Sequence, residues 1–186
     1  IDDCTWGCLV DDNFIESFIE KSDRDKEVIR HEFAEKFLNI NNRVFKDNQE
    51  DLVINTHVCR GNYDSTWFGQ GGYDKIADEL FGKEDVNAYY LEFDTERAGT
   101  FESLPKVSGD KKVVLGLITS KNPTLEEKET VISRIKEASK YIPLDRLYLS
   151  PQCGFASTEE GNRLTEEEQW AKLRFIKEIA DEVWGS

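Results

Sequence analysis

The fold of this chain is indicated most clearly by one apolar run, Val113-Val114-Leu115-Gly116-Leu117-Ile118. A strand with one face in water alternates apolar and polar residues, whereas this run is apolar throughout. Such a run is typical of a strand that is covered on both faces, as in a parallel sheet flanked by helices. We therefore predict a buried parallel strand from Lys112 to Thr119.

Shorter runs on either side of this strand predict an alternation of strands and helices. Besides the opening Ile1-Asp2-Asp3, we predict strands over Leu52 to Val58, Ala88 to Phe93 and Arg146 to Ser150. Apolar residues spaced three or four apart predict helices over Arg24 to Lys46, near Tyr73 to Phe81, after a capping box of Thr124 with Glu127, and after a second box of Thr165 with Glu168. The acidic segment Asp11 to Asp23 lacks a clear period and is predicted to be a loop.

This alternation is typical of an α/β fold with a parallel sheet, which is either an open doubly wound sheet or part of a barrel. A closed eight-stranded barrel usually needs about 250 residues, and this chain has 186. A barrel segment would leave its first and last strands with unpaired edges, which a missing barrel half or another chain would have to cover. No Pro/Gly-rich linker interrupts residues 1–186, so we predict a single domain.

The composition narrows the classes of partner. With 38% hydrophobic and 33% charged residues, the chain has an ordinary globular composition. Lys and Arg total 24 against 38 Asp and Glu, which gives a net charge of −14. This charge repels nucleic acid and anionic membrane surfaces, so we expect neither as a partner. The four scattered cysteines suit reduced thiols, and we expect a cytoplasmic protein.

Candidate metal ligands lie near the carboxyl ends of three predicted strands. In His57-Val58-Cys59 the imidazole and the thiol point to the same side of an extended chain. Glu92 and Cys153 end or follow two later strands, where chemistry gathers in parallel α/β folds. One nitrogen, one oxygen and two sulfurs make a plausible tetrahedral zinc set. A buried histidine beside buried thiols is an equally good interpretation of the pattern alone.

Two cations beside these positions are candidates for holding a substrate carboxylate. Arg60 follows Cys59 and would bind it as a bidentate pair, and Lys121 would bind it as a point charge. Alternatively, Arg60 forms an ion pair at the rim of the sheet, for which the candidate partners are Asp64, Asp94 and Glu96.

A cluster of aromatic residues follows the first two ligands. It consists of Tyr63, Trp67, Phe68 and Tyr73. These rings either form a flat face for a pterin ring or pack within the protein, and packing is the commoner reason for such a cluster.

Five stretches together resemble the cobalamin-independent methionine synthase family, most closely its shorter, single-barrel members. They are Ile1-Asp2-Asp3-Cys4-Thr5-Trp6-Gly7, Thr56-His57-Val58-Cys59-Arg60-Gly61-Asn62, Tyr90-Leu91-Glu92-Phe93-Asp94, Gly116-Leu117-Ile118-Thr119-Ser120-Lys121 and Leu149-Ser150-Pro151-Gln152-Cys153-Gly154-Phe155-Ala156-Ser157. The resemblance implies that the chain is the C-terminal portion, about five strands, of a TIM (β/α)8 barrel, and that about three strands lie upstream.

The resemblance also implies a reaction and a site. The family moves a methyl group from a methyl-tetrahydrofolate-like donor to the thiol of homocysteine, which gives methionine, and it uses Zn²⁺ as cofactor. The acidic pair that holds the amino group of homocysteine falls on Asp2, with Asp3 beside it, so Asp2 is the candidate catalytic residue and both are candidate substrate-binding residues. The zinc ligands fall on His57, Cys59, Glu92 and Cys153, which leaves Cys4 and Cys8 as non-ligands.

One departure from the family concerns the proton donor. The larger enzymes carry a histidine that serves as general acid after the strand equivalent to Val113 to Thr119, whereas this chain has Thr119-Ser120-Lys121 there. The resemblance therefore assigns no proton donor in this chain. Two other functions stay open: a thiol methyltransferase that uses a methyl-corrinoid donor, and a non-catalytic barrel module in which zinc only staples the sheet.

Overall fold

The five strands of the protein lie side by side in the order in which they occur in the chain. The computed structural model describes residues 1–19, 23–46 and 51–185. Every neighbouring pair of strands is parallel. A doubly wound sheet reverses its strand order at a switch point, and this sheet does not, so its order is that of consecutive barrel strands. The strands are Asp2–Asp3 (β1), Asn55–Val58 (β2), Ala88–Glu92 (β3), Lys112–Ile118 (β4) and Leu147–Pro151 (β5).

Six α-helices connect or follow these strands in the described part of the chain. They are Cys4–Leu9 (α1), Asp12–Ile19 (α2), Lys26–Phe45 (α3), Ala77–Lys83 (α4), Lys128–Ala138 (α5) and Glu166–Trp184 (α6). Short 3₁₀ turns occupy Tyr73–Ile76, Glu96–Ala98, Phe101–Lys106 and Leu144–Arg146. Across residues 1–19, 23–46 and 51–185, none of the helices is long and apolar enough to cross a membrane.

The central strand has the burial that its sequence predicts. From Val113 to Ile118 each residue of β4 is buried, on both faces of the sheet. One face packs under the helices, where Leu80, Tyr89 and Ile135 belong to the main core. At about 25 cal/mol per Å² of apolar surface removed from water, this core is the principal stabilising term of the fold.

The two predicted capping boxes have different outcomes. The box of Thr165 with Glu168 is confirmed, because both reciprocal hydrogen bonds are present at the start of α6. The box at Thr124 is wrong, since α5 begins only at Lys128 and Glu127 precedes it without a side-chain cap. The intervening carboxylate of Glu126 instead accepts from the backbone N–H of Thr119, at 2.7 Å.

The segment predicted to be a loop contains a helix. Asp12–Ile19 is α2, and Asp11 caps it by accepting from the backbone N–H of Asn13 at 2.9 Å. The prediction of a loop is therefore wrong for these residues, because a two-turn helix offers too few apolar positions to show a period. Residues 20–22 of that segment lie outside the described residues.

Two other boundaries differ from the predictions because apolar residues are exposed. The prediction of a strand start at Leu52 is wrong: Leu52 and Val53 are exposed, and β2 begins at Asn55. In α3 the core residues are Ile29, Ala34, Leu38 and Phe45. Val28, Ile40 and Val44, which share the apolar spacing that predicted this helix, face away from this core and are exposed.

Candidate metal centre

The strand register brings the predicted ligands to one edge of the sheet. Asp2 lies opposite His57, and Glu92 lies opposite Gly116 in the next strand. A nitrogen of His57 and the sulfurs of Cys59 and Cys153 all lie within 4.8 Å of one another. His57 and Cys59, from one strand end, therefore meet Cys153, which is distant along the chain, where parallel strands end.

His57 is held from both sides of its ring. Its Nδ1 lies 2.8 Å from Oδ1 of Asp2, and its Nε2 lies 3.0 Å from the backbone carbonyl oxygen of Gln152. The Asp2 carboxylate, which accepts the Nδ1 proton, fixes the orientation of the ring. Because the carbonyl oxygen of Gln152 can only accept, Nε2 can bind a metal through its lone pair only in place of its contact with Gln152. The contact with Asp2 therefore fixes the position of the His57 ring.

The two cysteine sulfurs lie side by side. Sγ of Cys59 is 4.0 Å from Sγ of Cys153, and the backbone N–H of Gly61 lies 3.4 Å from Sγ of Cys59. The neighbouring Cys59 sulfur and burial together raise the pKa of the Cys153 thiol far above its ordinary value. Cys59 and Cys153 can both be thiolates only when a cation lies beside them, because two adjacent anions in a partly buried site repel each other.

Glu92 is a fully buried carboxylate with strong partners. Its Oε1 accepts from the backbone N–H of Arg60 at 2.7 Å, and its Oε2 accepts from Arg97 at 2.7 Å and from the side-chain amide of Gln152 at 3.3 Å. Arg97 also donates to Asp94 at 2.9 Å. A buried anion needs such compensation, and Arg97 supplies it at the end of β3.

The donor set fits a zinc ion. Zn–S bonds of about 2.3 Å in a tetrahedron separate two sulfurs by about 3.8 Å, close to the 4.0 Å between Cys59 and Cys153. Oε1 of Glu92 lies outside the tightest group, yet it is 3.7 Å from Nε2 of His57. One nitrogen and two sulfurs thus lie close enough together to bind one ion, and a carboxylate oxygen lies near the nitrogen.

Helix α1 presses closely on this site. A Cβ atom on Gly7 would lie 2.1 Å from the backbone carbonyl oxygen of Cys59. Only glycine lets the helix approach the strand end so closely, so Gly7 positions the backbone of a candidate ligand.

Asp3 does not lie beside the metal centre. Successive side chains of a strand alternate faces, and Asp3 points away from Asp2. Its Oδ1 accepts from the backbone N–H of Thr5, which caps α1, and its Oδ2 accepts from Asn41 at 2.9 Å. The predicted pair is therefore divided between two places in the fold.

Arg60 points into the protein interior. Its guanidinium is fully buried, donates to the carbonyl oxygen of Gly71 at 2.5 Å and stacks on the ring of Tyr73 at 4.2 Å. A substrate carboxylate does not reach it in this structure. The alternative is also wrong, because Asp64 pairs with Arg163 and Asp94 pairs with Arg97.

Lys121 lies at the rim of the site. Its ammonium donates to the carbonyl oxygen of Gly61 at 3.1 Å and to the side-chain oxygen of Asn62. Burial lowers the pKa of Lys121, and the negative charges of Cys153 and Glu92 oppose that shift.

The aromatic cluster does not form one flat face. Tyr73 is buried in the core, Trp67 lies over the guanidinium of Arg97 at 5.0 Å, and Phe68 meets Phe14 edge-on at 5.8 Å. The hydroxyl of Tyr63 donates to Glu160. Packing, the commoner of the two interpretations, accounts for these rings.

Cys4 and Cys8 lie outside the group of three donors. Both thiols line an apolar pocket with Phe14 and Phe33, and the Cys4 thiol also contacts Cys59. Burial is the main cause that raises the pKa of each thiol.

Two contributors to the site were missed from the sequence. Arg97 holds Glu92, and the signal for it was the pair of carboxylates, Glu92 and Asp94, shortly before a lone arginine. Asn62 donates to the carbonyl oxygen of Gly154 at 2.7 Å and so ties the loop after Cys59 to the loop after Cys153. No local pattern marks that contact, because the two loops are far apart in the chain.

The protein is a partial parallel barrel with a candidate metal centre of histidine, cysteine and glutamate side chains at its strand ends. The family model for the cobalamin-independent synthase, catalytic domain, matches residues 9–182. The chain belongs to this family, which confirms the resemblance drawn from its five stretches.

Comparison with individual proteins supports this membership. The chain is 45% identical over 185 residues to the uncharacterized protein YxjG of Bacillus subtilis (strain 168), covering 99% of this chain and 48% of that protein. It is 27% identical over 103 residues to a methionine synthase of Pyrococcus horikoshii, covering 55% of this chain and 27% of that protein. The chain therefore spans about half the length of the curated relatives it matches most fully.

A solved structure confirms the fold. The chain matches the Listeria monocytogenes protein described as a vitamin-B12 independent methionine synthase with a TM-score of 0.70 and 36% identity, covering 100% of this chain and 48% of that one. The five-stranded sheet is thus part of a TIM barrel, as predicted.

Proposed function

We propose that residues 1–186 are one domain, the C-terminal part of a catalytic barrel, and supply the zinc-binding side of a methyltransferase. The reaction moves a methyl group from a methyl-tetrahydrofolate-like donor to the thiol of homocysteine, giving methionine. The observation that carries this proposal is the convergence of His57, Cys59 and Cys153 within 4.8 Å at the strand ends. The family membership supports it.

The proposed zinc site would be held by His57, Cys59, Glu92 and Cys153. When bound, zinc lets a thiol lose its proton at neutral pH and leaves the sulfur able to attack carbon. Three anionic ligands around a dication keep the site electron-rich, which favours a reactive thiolate. Arg97 and Asp2 hold Glu92 and His57 in the required orientation.

Two side chains at the rim are proposed to bind the amino-acid part of homocysteine. The side chain of Asp2 is 64% exposed beside His57, so one of its oxygens can accept from a substrate ammonium. Lys121 is proposed to attract the substrate carboxylate as a point charge. Arg60 and Asp3 have no part in this proposal, because their side chains are occupied elsewhere.

The proposal includes a partner for the open sheet. β1 and β5 are the outer strands, and the exposed apolar residues Val53, Tyr90 and Tyr148 line one open cavity. Further residues of the same polypeptide or another chain are proposed to cover these surfaces and complete the barrel. A cytoplasmic location is also proposed, since Cys59 and Cys153 must stay reduced.

The test is methyl transfer with the complementary barrel half present. Zinc-loaded protein is incubated with homocysteine and either 5-methyltetrahydrofolate or methylcobalamin, and methionine is measured by mass spectrometry. We expect methionine from the folate donor. Cys153→Ser should abolish both zinc binding and product, whereas Cys8→Ser, which changes a thiol outside the donor group, should retain both.

The other outcomes separate the alternatives. Product from methylcobalamin alone indicates a corrinoid-dependent thiol methyltransferase. Stoichiometric zinc without product from either donor indicates a structural metal. Turnover by the metal-free Cys153→Ser protein would refute the proposal altogether.

A further inference from the structure

Lys121 is a cation with an unused hydrogen-bond donor beside the metal centre. An ammonium has three N–H groups, and Lys121 directs two of them to Gly61 and Asn62. Among the residues that the structure describes, the third N–H has no acceptor, and no carboxylate lies within 4.0 Å of the Lys121 nitrogen. This ammonium is thus free to contact a ligand.

The side chains of the two arginines described around the donor group are buried. Arg97 pairs with Glu92 and Asp94. Arg60 is fully buried against Gly71, and a guanidinium keeps its proton at any pH in which the protein folds. Of these cations, a lysine alone can give up a proton at moderate pH once it is partly desolvated.

The position of Lys121 places it between the thiols and an open cavity. Its partner Asn62 donates to Oγ of Ser157 at 2.6 Å, and that oxygen lies 4.0 Å from Sγ of Cys153. Lys121 also lines a cavity of about 540 Å³, together with Trp67, Asn122 and the acidic residues Asp94 and Glu126. A cavity of this size admits a ligand of ordinary cofactor dimensions.

The proposed reaction creates a need for a proton at this place. When a thiolate attacks a methyl group on nitrogen, an S–C bond forms, the C–N bond breaks and its electron pair stays on the nitrogen. That nitrogen must take up a proton to leave as a neutral amine. We infer that Lys121 is the general acid that gives this proton from its ammonium, after which the neutral amine of Lys121 regains one from solvent. The inference rests on the function proposed above.

Burial supports this role because it lowers the pKa of Lys121 toward the range in which proton transfer is efficient. In this inference the third N–H of Lys121 is given to the leaving nitrogen, and the charge of the ammonium attracts the substrate carboxylate without a hydrogen bond.

Two substitutions and two methyl donors test the role of Lys121. Lys121→Met removes the proton and the charge, and Lys121→Arg keeps the charge but not the available proton. With 5-methyltetrahydrofolate, whose leaving nitrogen needs a proton, we expect both variants to lose about 10²- to 10⁴-fold in the rate of methionine formation. With methyl iodide, whose leaving iodide needs no proton, both variants should lose at least about tenfold less than they lose with the folate donor. Zinc content, measured in the same samples, should be unchanged.

The pH profile provides a second readout. The parent rate with the folate donor should fall as pH rises and Lys121 loses its proton, and this limb should be absent from both variants. A Lys121→Arg protein with the parent rate would overturn the proton-donor role in favour of charge alone. Equal losses with both donors would overturn it in favour of a structural role. A parent protein that accepts methyl iodide but not the folate donor would overturn the proposed function and the role of Lys121 with it.

Discussion

Two fully buried carboxylates, Glu92 beside the metal centre and Glu84 after α4, have partners of different charge. Glu92 accepts from the guanidinium of Arg97. Glu84 accepts only neutral donors, from the indole of Trp6 at 3.1 Å and from Asn41 at 2.8 Å, and within the described residues its Oε2 has no partner. Burial accordingly raises the pKa of Glu84 to about 7.

The difference shows that the carboxylate at the candidate site and the carboxylate in the structural core are stabilised in different ways. At the carboxyl ends of the strands, the buried cation Arg97 pairs with Glu92 beside the candidate metal centre. Behind them, between α1, α3 and the sheet, a carboxylate of the same type bridges helices and is close to neutral. Burial alone therefore does not set the charge of a carboxylate, and the neighbouring donors decide it.

Removing Arg97 should have the largest effect. Arg97→Leu leaves Glu92 and Asp94 buried without a counter-charge, so we expect the free energy of unfolding to fall by about 3–5 kcal/mol. Urea denaturation measures this. The control Arg163→Leu breaks an exposed pair with Asp64 and should leave the midpoint nearly unchanged. Equal midpoints for the two variants would contradict the role given to Arg97.

Replacing Glu84 should change how stability depends on pH. The pKa of Glu84 is about 7 in the folded protein against 4.5 when unperturbed, so folding favours its protonated form. The parent protein therefore loses stability as pH rises from about 4.5 through 7. Glu84→Gln, which stays neutral, should gain on the parent by of order 3 kcal/mol between pH 4.5 and pH 8. Urea denaturation at both pH values tests this prediction. A difference in the free energy of unfolding between the two proteins that does not change with pH would contradict it.

A smaller effect should separate Asp2 from Asp3, which lie on the two sides of the comparison. Asp2 orients His57, whereas Asp3 caps α1 and shares Asn41 with Glu84. We expect Asp2→Ala to weaken zinc binding by about 10- to 100-fold, measured by competition with a chelator.

Asp3→Ala is the matched control for that measurement. It should leave the zinc affinity unchanged and lower the free energy of unfolding by about 1 kcal/mol through loss of the helix cap. If instead Asp3→Ala weakened zinc binding as much as Asp2→Ala, the division of the acidic pair between two places would be wrong.

Strands β3, β4 and β5 were predictable because apolar residues mark them over most of their own length. The run at Val113 to Ile118 could not be a half-exposed strand, and strand ends in a parallel sheet meet at one edge. The proximity of His57, Cys59 and Cys153 could therefore be predicted from the sequence. Only the alternation of side chains and the common direction of the strands were needed for that prediction.

The rest depended on what packs opposite each residue. Arg60 lies in the interior because it contacts Tyr73 and Gly71. The cap at Thr124 does not form, and Glu126 accepts from the backbone at the end of β4 instead. Such contacts join elements that are distant in sequence. The spacing of apolar residues is a local property of the sequence and does not predict such contacts.

X-ray absorption at the zinc edge tests the central claim most directly. The account predicts one bound zinc with two sulfur ligands at about 2.3 Å and two nitrogen or oxygen ligands at about 2.0–2.2 Å, and one sulfur fewer in any zinc retained by Cys153→Ser. A zinc shell made only of nitrogen and oxygen, or a protein that binds no zinc while Cys59 and Cys153 are reduced, would contradict it.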